Sequence, residues 1–144
     1  MQTMSSRQRV LSAVARKPDD LAKVRFQFDE CRRLVERYGI ALCLCQGLGL
    51  TGAVNMFGPT EISLLCLSDP DLVDAYLEVD HEYNLKTMEI GLDLGADMIR
   101  RNGFYETCDL YSPAVLKRFL GNHLRREADL VHSAGKLIGY TIWA

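Results

Sequence analysis

The sequence has little excess of positive or negative charge, no long hydrophobic run and no disulfide framework. Each of these absences excludes a class of protein. The 17 basic and 19 acidic side chains give a net charge of −2, so we expect no nucleic-acid partner. The longest apolar runs, such as residues 40–45, are too short to span a bilayer, and the N-terminus lacks the apolar core of a signal peptide. We therefore predict a cytoplasmic protein with no membrane association.

The cysteines of this chain do not form the pattern of a disulfide framework. An odd total of 5 cysteines, without the spacing of a small disulfide scaffold, favours reduced thiols. Cys43 and Cys45 are two apart on a predicted strand, so they share a face and could hold a metal. Because buried thiols are commonplace in apolar strands, we predict no metal site there and no cofactor.

What the sequence does contain is an alternation of strands and helices. The continuous apolar run Ile40–Cys45 is typical of a strand buried on both faces. Two further strands are predicted over Asp97–Arg101 and Leu137–Trp143. Because a long helical crossover separates each strand from the next, we predict that all three run parallel, in this order across the sheet.

The helices between these strands have clear start and stop signals. Asp69 and Ser112 are N-cap residues, each followed by a proline, and Gly95 and Gly135 end the helices. The predicted buried stripes are Leu72, Tyr76, Val79, Tyr83, Ile90 and Leu94 in the first helix, and Leu116, Phe119, Leu120, Ala128 and Val131 in the second. Other helices are predicted over Gln8–Ala15, Leu21–Tyr38, Thr51–Phe57 and Thr60–Leu67.

The element order gives the fold class, α/β. A closed barrel needs eight strands and about 250 residues, which 144 residues cannot supply. We predict a partial TIM-type β/α barrel with parallel strands and flanking helices. It forms one domain over residues 1–144, with N-terminal helices in 1–39 and strand–helix units in 40–144. The alternative is a small open three-layer sheet with its last strand as an exposed edge.

Several segments occur in an order that is familiar from one family. They are Arg7–Ala13, Ser68–Val73, Gly95–Ile99, Leu110–Pro113, Lys117–Phe119 and His132–Lys136. In this order they resemble the uroporphyrinogen decarboxylase superfamily, over most of residues 54–144 and weakly over the first 20. The resemblance implies an incomplete β/α barrel with its site at the carboxyl ends of the strands. It also implies either porphyrinogen decarboxylation without a cofactor, or zinc-dependent methyl transfer linked to a corrinoid.

The chain departs from the patterns of both activities of the superfamily. It lacks the arginine-rich N-terminal loop and the aspartate that holds the pyrrole N–H groups in the decarboxylases. The superfamily's methyltransferases carry two zinc ligands, His-x-Cys, where this chain has Thr141 and Trp143, which cannot bind zinc with that geometry. The resemblance therefore favours a carboxy-lyase acting on a carboxylated tetrapyrrole of porphyrin biosynthesis or a related small-molecule substrate. The alternatives are a corrinoid-linked methyltransferase and a non-catalytic fragment that assembles through its open sheet edge. Activity is expected of a full-length parent rather than of this chain alone, and homo-oligomerisation stays open.

The loops at the predicted site are residues 46–50 and 100–111. Arg100 and Arg101 could bind substrate carboxylates bidentately, or one of them could pair within the loop with Glu106 or Asp109. Neighbouring residues of a strand point to opposite faces, and we predict that Arg100 faces the barrel interior, above Met98. Glu106 and Asp109 are the candidate acid and base, the alternative being two solvated loop carboxylates.

Gln46, Asn102 and Tyr105 complete the predicted substrate-binding set together with Arg101. Tyr105 could stack on a planar ligand or cover the barrel mouth. Cys108 has no nearby histidine in the sequence to activate it as a nucleophile. His81 and His123 are predicted to face solvent from the polar sides of their helices.

Overall fold

The computed structural model describes residues 19–47 and 49–142, with side chains from residue 26 onward. The predicted helix Gln8–Ala15 lies outside these residues. The chain divides into two compact units, residues 1–40 and 41–144. The described part of the first unit is helix α1, Asp19–Tyr38, whose end before Gly39 is as predicted.

The second unit is built on a sheet of three strands, β1 (Cys43–Gln46), β2 (Met98–Asn102) and β3 (Leu137–Thr141). The strand order is β1-β2-β3 and both pairings are parallel, which confirms the predicted topology. Leu44, Ile99 and Ile138 are opposite one another in the register, so they share a face. Strand β1 begins later than the apolar run predicts, since its hydrogen-bonded ladder starts only at Cys43.

Four helices complete this unit: α2 (Gly49–Phe57), α3 (Pro59–Ser68), α4 (Pro70–Asp93) and α5 (Pro113–Ser133). Helices α4 and α5 begin as predicted. The Asp69 carboxylate accepts a hydrogen bond from the Leu72 backbone N–H at 3.3 Å, and the Ser112 hydroxyl accepts one from Val115 at 3.3 Å. Gly95 follows α4 with a φ of +88°, the left-handed conformation that glycine adopts most easily.

The helices cover one face of the sheet and leave the other exposed. On the covered face, Leu44 packs closely against Gly91 of α4 and Ile99 is fully buried. On the other face Cys43 and Cys45 are exposed, and Leu137 has 68% of its surface accessible. The prediction that the first strand is buried on both faces is therefore wrong. Burial of the inner face of a barrel sheet requires strands from across the barrel, and three strands do not provide them.

The main core lies between helices α2 to α5. The residues at its centre are Leu50, Ala53, Ile62, Val73, Leu77, Phe119 and Leu120. The predicted stripe of α5 is confirmed at Phe119, Leu120 and Val131, whereas Leu116 and Ala128 are half-buried. The predicted stripe of α4 is wrong at Leu72, which is exposed, and its other five residues are only half-buried; the fully buried residues there are Val73, Leu77, His81, Asn84, Met88 and Gly91. The buried face of α4 is thus partly polar.

None of the helices within residues 19–47 and 49–142 is both long and apolar enough to cross a membrane.

Candidate functional site

Because the strands are parallel, their carboxyl ends meet at one edge of the sheet. Gln46 ends β1, Asn102 ends β2 and Thr141 ends β3 at this edge. The loop from Gly103 leaves β2 here, and its backbone N–H donates to the Thr141 carbonyl at 2.9 Å. In β/α barrels the functional side chains come from this edge.

A group of charged and polar side chains is buried behind this edge, between the sheet and helices α4 and α5. We call His81, Arg101, Glu106 and Glu127, together with Tyr140, which is itself 42% exposed, the buried charge cluster. Arg101 is only 2% exposed and donates from Nε to Glu127 Oε2 at 2.7 Å and from Nη1 to Glu106 Oε2 at 2.8 Å. The Tyr140 hydroxyl donates to the same Glu106 oxygen. Two carboxylates therefore fix the position of this guanidinium, and its Cζ lies 5.4 Å from the centroid of the Tyr140 ring.

The cluster continues into helix α4 through two histidines. Glu127 Oε1 lies 3.1 Å from Nδ1 of His81, which is 2% exposed. The His81 and His123 rings are tilted against each other with centroids 4.4 Å apart. The predicted solvent-facing position of both histidines is wrong for His81 and largely wrong for His123, whose side chain is 13% exposed. His81 lies inside the protein because its ring forms a hydrogen bond with Glu127, and a buried carboxylate needs more than one hydrogen-bond donor.

Burial and neighbouring charges shift the protonation of the cluster in opposing directions. Burial raises the pKa of Glu106, against the effect of the adjacent Arg101 guanidinium, which lowers it. Burial lowers the pKa of Arg101, but Glu106 and Glu127 outweigh it and the net shift is upward. Burial, followed by the nearby Glu106 carboxylate, raises the pKa of Tyr140. Arg101 is thus held firmly in its charged form.

Beside the cluster, a cleft of about 310 Å³ opens at the carboxyl end of β1. This carboxyl-edge cleft is lined by Gln46, Gly47, Asp80, Asn84 and Asn102, together with Cys45 and Tyr83. Asp80 Oδ2 accepts hydrogen bonds from the Gly49 backbone N–H at 3.1 Å and from Asn84 Nδ2 at 2.9 Å. Gln46 Nε2 donates to Asn84 Oδ1 at 3.3 Å. Amide and carboxylate groups from β1, β2 and α4 therefore converge on one concave surface.

The structure divides the predicted site residues among three places. Gln46 and Asn102 line the carboxyl-edge cleft, and Arg101 and Glu106 belong to the buried charge cluster. Arg101 forms an ion pair with Glu106, which is one of the alternatives that the sequence left open for the two arginines. The remaining three are exposed: Arg100, Tyr105 and Asp109.

Glu106 and Asp109, the predicted acid and base, are not brought together. Glu106 is 3% exposed and hydrogen-bonded, whereas Asp109 is on the surface. Arg100 is exposed on the face it shares with Met98, away from the helices, as the alternation along a strand predicts. It makes no ion pair with any described residue. The catalytic and binding roles of these residues stay predictions.

Sequence reasoning missed five side chains that build the two sites: Asp80, His81, Asn84, Glu127 and Tyr140. The signal was present in α4, where Asp80, His81 and Asn84 continue the helical spacing set by Val73 and Leu77. A buried face that is predicted from apolar residues alone does not include polar residues at the same helical spacing. Polar groups at core positions of a helix indicate a buried network.

Of the two positions that hold zinc in the methyltransferases of the resembled superfamily, the structure describes Thr141. Thr141 is half-buried and offers only a hydroxyl, which is a poor zinc ligand. In the described part of the chain, no group of three or more His, Cys, Asp or Glu side chains is arranged to hold a metal ion.

The fold is that of strand–helix units from a β/α barrel. Neither a family model nor any curated protein matches the sequence. Among solved structures, a methyltransferase from Methanosarcina mazei is similar, with a TM-score of 0.63 and 19% sequence identity over 73% of this chain. The similar region is 30% of that methyltransferase, so this chain spans less than a third of its length. At this identity the likeness shows the fold.

The position of His123 predicts a pH-dependent stability. Burial lowers its pKa below the usual value of about 6.5, and the neighbouring His81 lowers it further. A histidine whose pKa is lower in the folded than in the unfolded state disfavours folding once it is protonated. We expect the free energy of unfolding to fall as the pH drops below about 6.5, and to fall less in His123→Gln.

Urea denaturation of both proteins between about pH 7 and pH 5 measures this difference. The matched control is His132→Gln, because His132 is exposed in the last turn of the same helix. Parallel pH profiles for the wild type and His123→Gln would contradict the prediction.

Proposed function

We propose that this chain is part of a β/α-barrel enzyme that transfers a methyl group to or from a small molecule held at the carboxyl edge of its sheet. The single observation behind the reaction class is the fold likeness to the Methanosarcina mazei methyltransferase. The carboxyl-edge cleft supports the location, because its polar groups come from the ends of β1 and β2.

In this proposal the described residues bind and orient the substrate. Arg100 is exposed next to the cleft, and its register partner in β1 is Cys45, which lines it. Its guanidinium is free to bind a negatively charged group of the substrate bidentately. The buried charge cluster sets the position of the loop after β2 through the Arg101–Glu106 pair. A methyl group carried by a corrinoid would come from a separate co-substrate.

The second candidate is the decarboxylation of an acidic ring substrate, as the sequence resemblance implies. The exposed Arg100, which pairs with no residue in the described ranges, favours it because such a substrate carries several carboxylates. Decarboxylation also needs stabilisation of developing negative charge, which a cation at the edge of the sheet provides. The two candidates place Arg100 in the same role and differ only in the reaction.

Two assays on the longest natural protein that contains this chain separate the candidates. Methyl transfer from methylcobalamin to a thiol would be followed by the visible spectrum of the corrinoid. Decarboxylation of a polycarboxylated porphyrinogen would be followed by the loss of carboxyl groups from the product. Methyl transfer without decarboxylation supports the proposal, the reverse result supports the second candidate, and inactivity in both assays overturns both.

Arg100→Ala tests the role of the exposed arginine in whichever reaction is found. Loss of a bidentate contact that the bound substrate would cover should cost about 2–5 kcal/mol of transition-state binding, a decrease in kcat/KM of more than about tenfold. The control is Arg125→Ala, because Arg125 is exposed on α5 and pairs with no described residue. Unchanged turnover in a folded Arg100→Ala protein would remove Arg100 from the site.

A further inference from the structure

Two cysteines lie next to each other on the uncovered face of the sheet. Cys43 and Cys45 are separated by one residue of β1, so their side chains point to the same face, and both are exposed. The prediction of no metal site there assumed that these thiols are buried, and they are not. Free cysteine is among the most buried residue types, and metal binding is part of its characteristic chemistry. Two neighbouring exposed thiols are therefore a candidate metal site.

The two thiols also interact with each other. Partial burial raises the pKa of Cys43, and so do the charge of Cys45 and a hydrogen bond between the two side chains, whereas Arg100 lowers it. Side chains that share a hydrogen bond are close enough to contact one ion. A metal ion between them deprotonates both thiols and removes the repulsion between the two thiolates.

Arg100 supplies a positive charge beside this pair. It is the register partner of Cys45 in β2, is exposed on the same face, and forms no ion pair with another described residue. Two thiolates and a monovalent cation together carry one negative charge, which the nearby guanidinium offsets. The charge of the surroundings therefore matches a monovalent ion.

The number of ligands also favours a soft monovalent ion. In the described ranges no group of three or more His, Cys, Asp or Glu side chains is arranged to hold a metal, so two thiols are the ligand set. Met98, the register partner of Cys43, adds no third sulfur, because its methyl group extends towards Gly139 of β3. Structural zinc sites almost always have four ligands. Thiolates are the soft ligands that select Cu(I), which is satisfied by two of them.

We infer that Cys43 and Cys45 together bind one Cu(I) ion as thiolates on the uncovered face of β1, with Arg100 beside them as the counter-charge. Binding releases one proton from each thiol and changes no oxidation state. The inference goes beyond the proposed function and does not rest on it. Because Arg100 then compensates the thiolates, a bound ion and the substrate anion proposed above exclude each other.

The test uses the whole chain, reduced and kept under nitrogen, in competition with bicinchoninate for Cu(I). The ion is supplied as its acetonitrile complex, and the loss of colour of the Cu(I)–bicinchoninate complex measures how much ion the protein removes. The starting protein is the variant Cys31→Ser, Cys108→Ser, which leaves exposed thiols at Cys43 and Cys45 and a buried one at Cys66. We expect this variant and the wild type to remove one tightly held ion per chain. No removal by this variant would overturn the inference.

Cys43→Ser and Cys45→Ser, each added to that variant, test the pair itself. Either change should abolish the removal of Cu(I), because a single thiolate offers the ion only one protein ligand. Circular dichroism checks that the variants are folded, as expected for substitutions at exposed positions. Removal of Cu(I) by either folded variant, to the same extent as by its parent, would overturn the inference.

Two further measurements test the counter-charge and the choice of ion. Arg100→Gln should weaken Cu(I) binding about tenfold, as for other partners outside the ligand shell. The matched control is Arg125→Gln, because Arg125 is exposed on α5 and pairs with no described residue. Equal affinities of these two variants would contradict the role of Arg100. In a parallel competition with a coloured zinc chelator, we expect the protein to remove no Zn²⁺, and equal removal of both ions would overturn the assignment to Cu(I).

Discussion

Replacing Arg101 by methionine should lower the free energy of unfolding by about 3–5 kcal/mol, as expected when one partner of a buried ion pair is removed. Arg101 is 2% exposed, and its loss leaves Glu106 and Glu127 buried with no guanidinium between them. Single domains of this kind are stable by only about 5–15 kcal/mol. Equilibrium urea denaturation followed by circular dichroism measures the change.

The neighbouring residue is a matched control. Arg100→Met makes the same substitution one position away on β2, where the side chain is exposed and unpaired. We expect a change within about 0.5 kcal/mol there, as for other surface positions. The triple variant Arg101→Met, Glu106→Gln, Glu127→Gln should recover part of the stability because it removes the uncompensated charges. Equal effects of Arg101→Met and Arg100→Met would contradict the buried ion pairs.

Gly49→Ala should destabilise the protein by about 2–5 kcal/mol for two separate reasons. Gly49 has a φ of +45°, and a side chain in this left-handed conformation costs about 1–2 kcal/mol. A Cβ atom would also lie 2.5 Å from Arg101 Nη2 and 2.5 Å from Glu106 Oε1. Relieving such overlap in a packed interior costs about 1–3 kcal/mol more. The measurement is again the midpoint and slope of urea denaturation.

Gly135→Ala separates the two contributions. Gly135 also has a positive φ, +68°, but a Cβ there would meet no atom within 4 Å. We expect it to show the conformational cost alone, about 1–2 kcal/mol. The difference between the two variants then measures the collision with the buried charge cluster. Equal destabilisation by the two variants would indicate that the cluster moves to accommodate a Cβ atom at residue 49 without measurable cost.

The local signals in the sequence were sufficient to predict the topology of the sheet and the helices that connect its strands. Asp69-Pro70 and Ser112-Pro113 begin the two long helices, because a capping side chain and a preset proline φ act over only a few residues. Parallel pairing follows from the length of the crossovers between strands. The partial β/α barrel was predicted on these grounds, and the three parallel strands confirm it.

The interior was predicted less well, because burial depends on what packs from elsewhere in the chain. The apolar residues of α4 suggested a stripe that includes Leu72, which is instead 49% exposed. His81 is buried because Glu127, distant in sequence, is its partner across α4 and α5. Hydrophobic periodicity reports the average preference of each side chain and contains no information about such partners.

The sequence by itself determined which segments form strands and helices, their order, and that Arg100 and Arg101 point to opposite faces of β2. Only the tertiary structure decided that Arg101 lies between Glu106 and Glu127, whereas Arg100 forms no ion pair with another described residue. The physical reason is the separation along the chain over which each kind of interaction acts. Capping, backbone preference and side-chain alternation act between neighbours in the chain, whereas ion pairs and clefts join residues that only folding brings within a few ångströms.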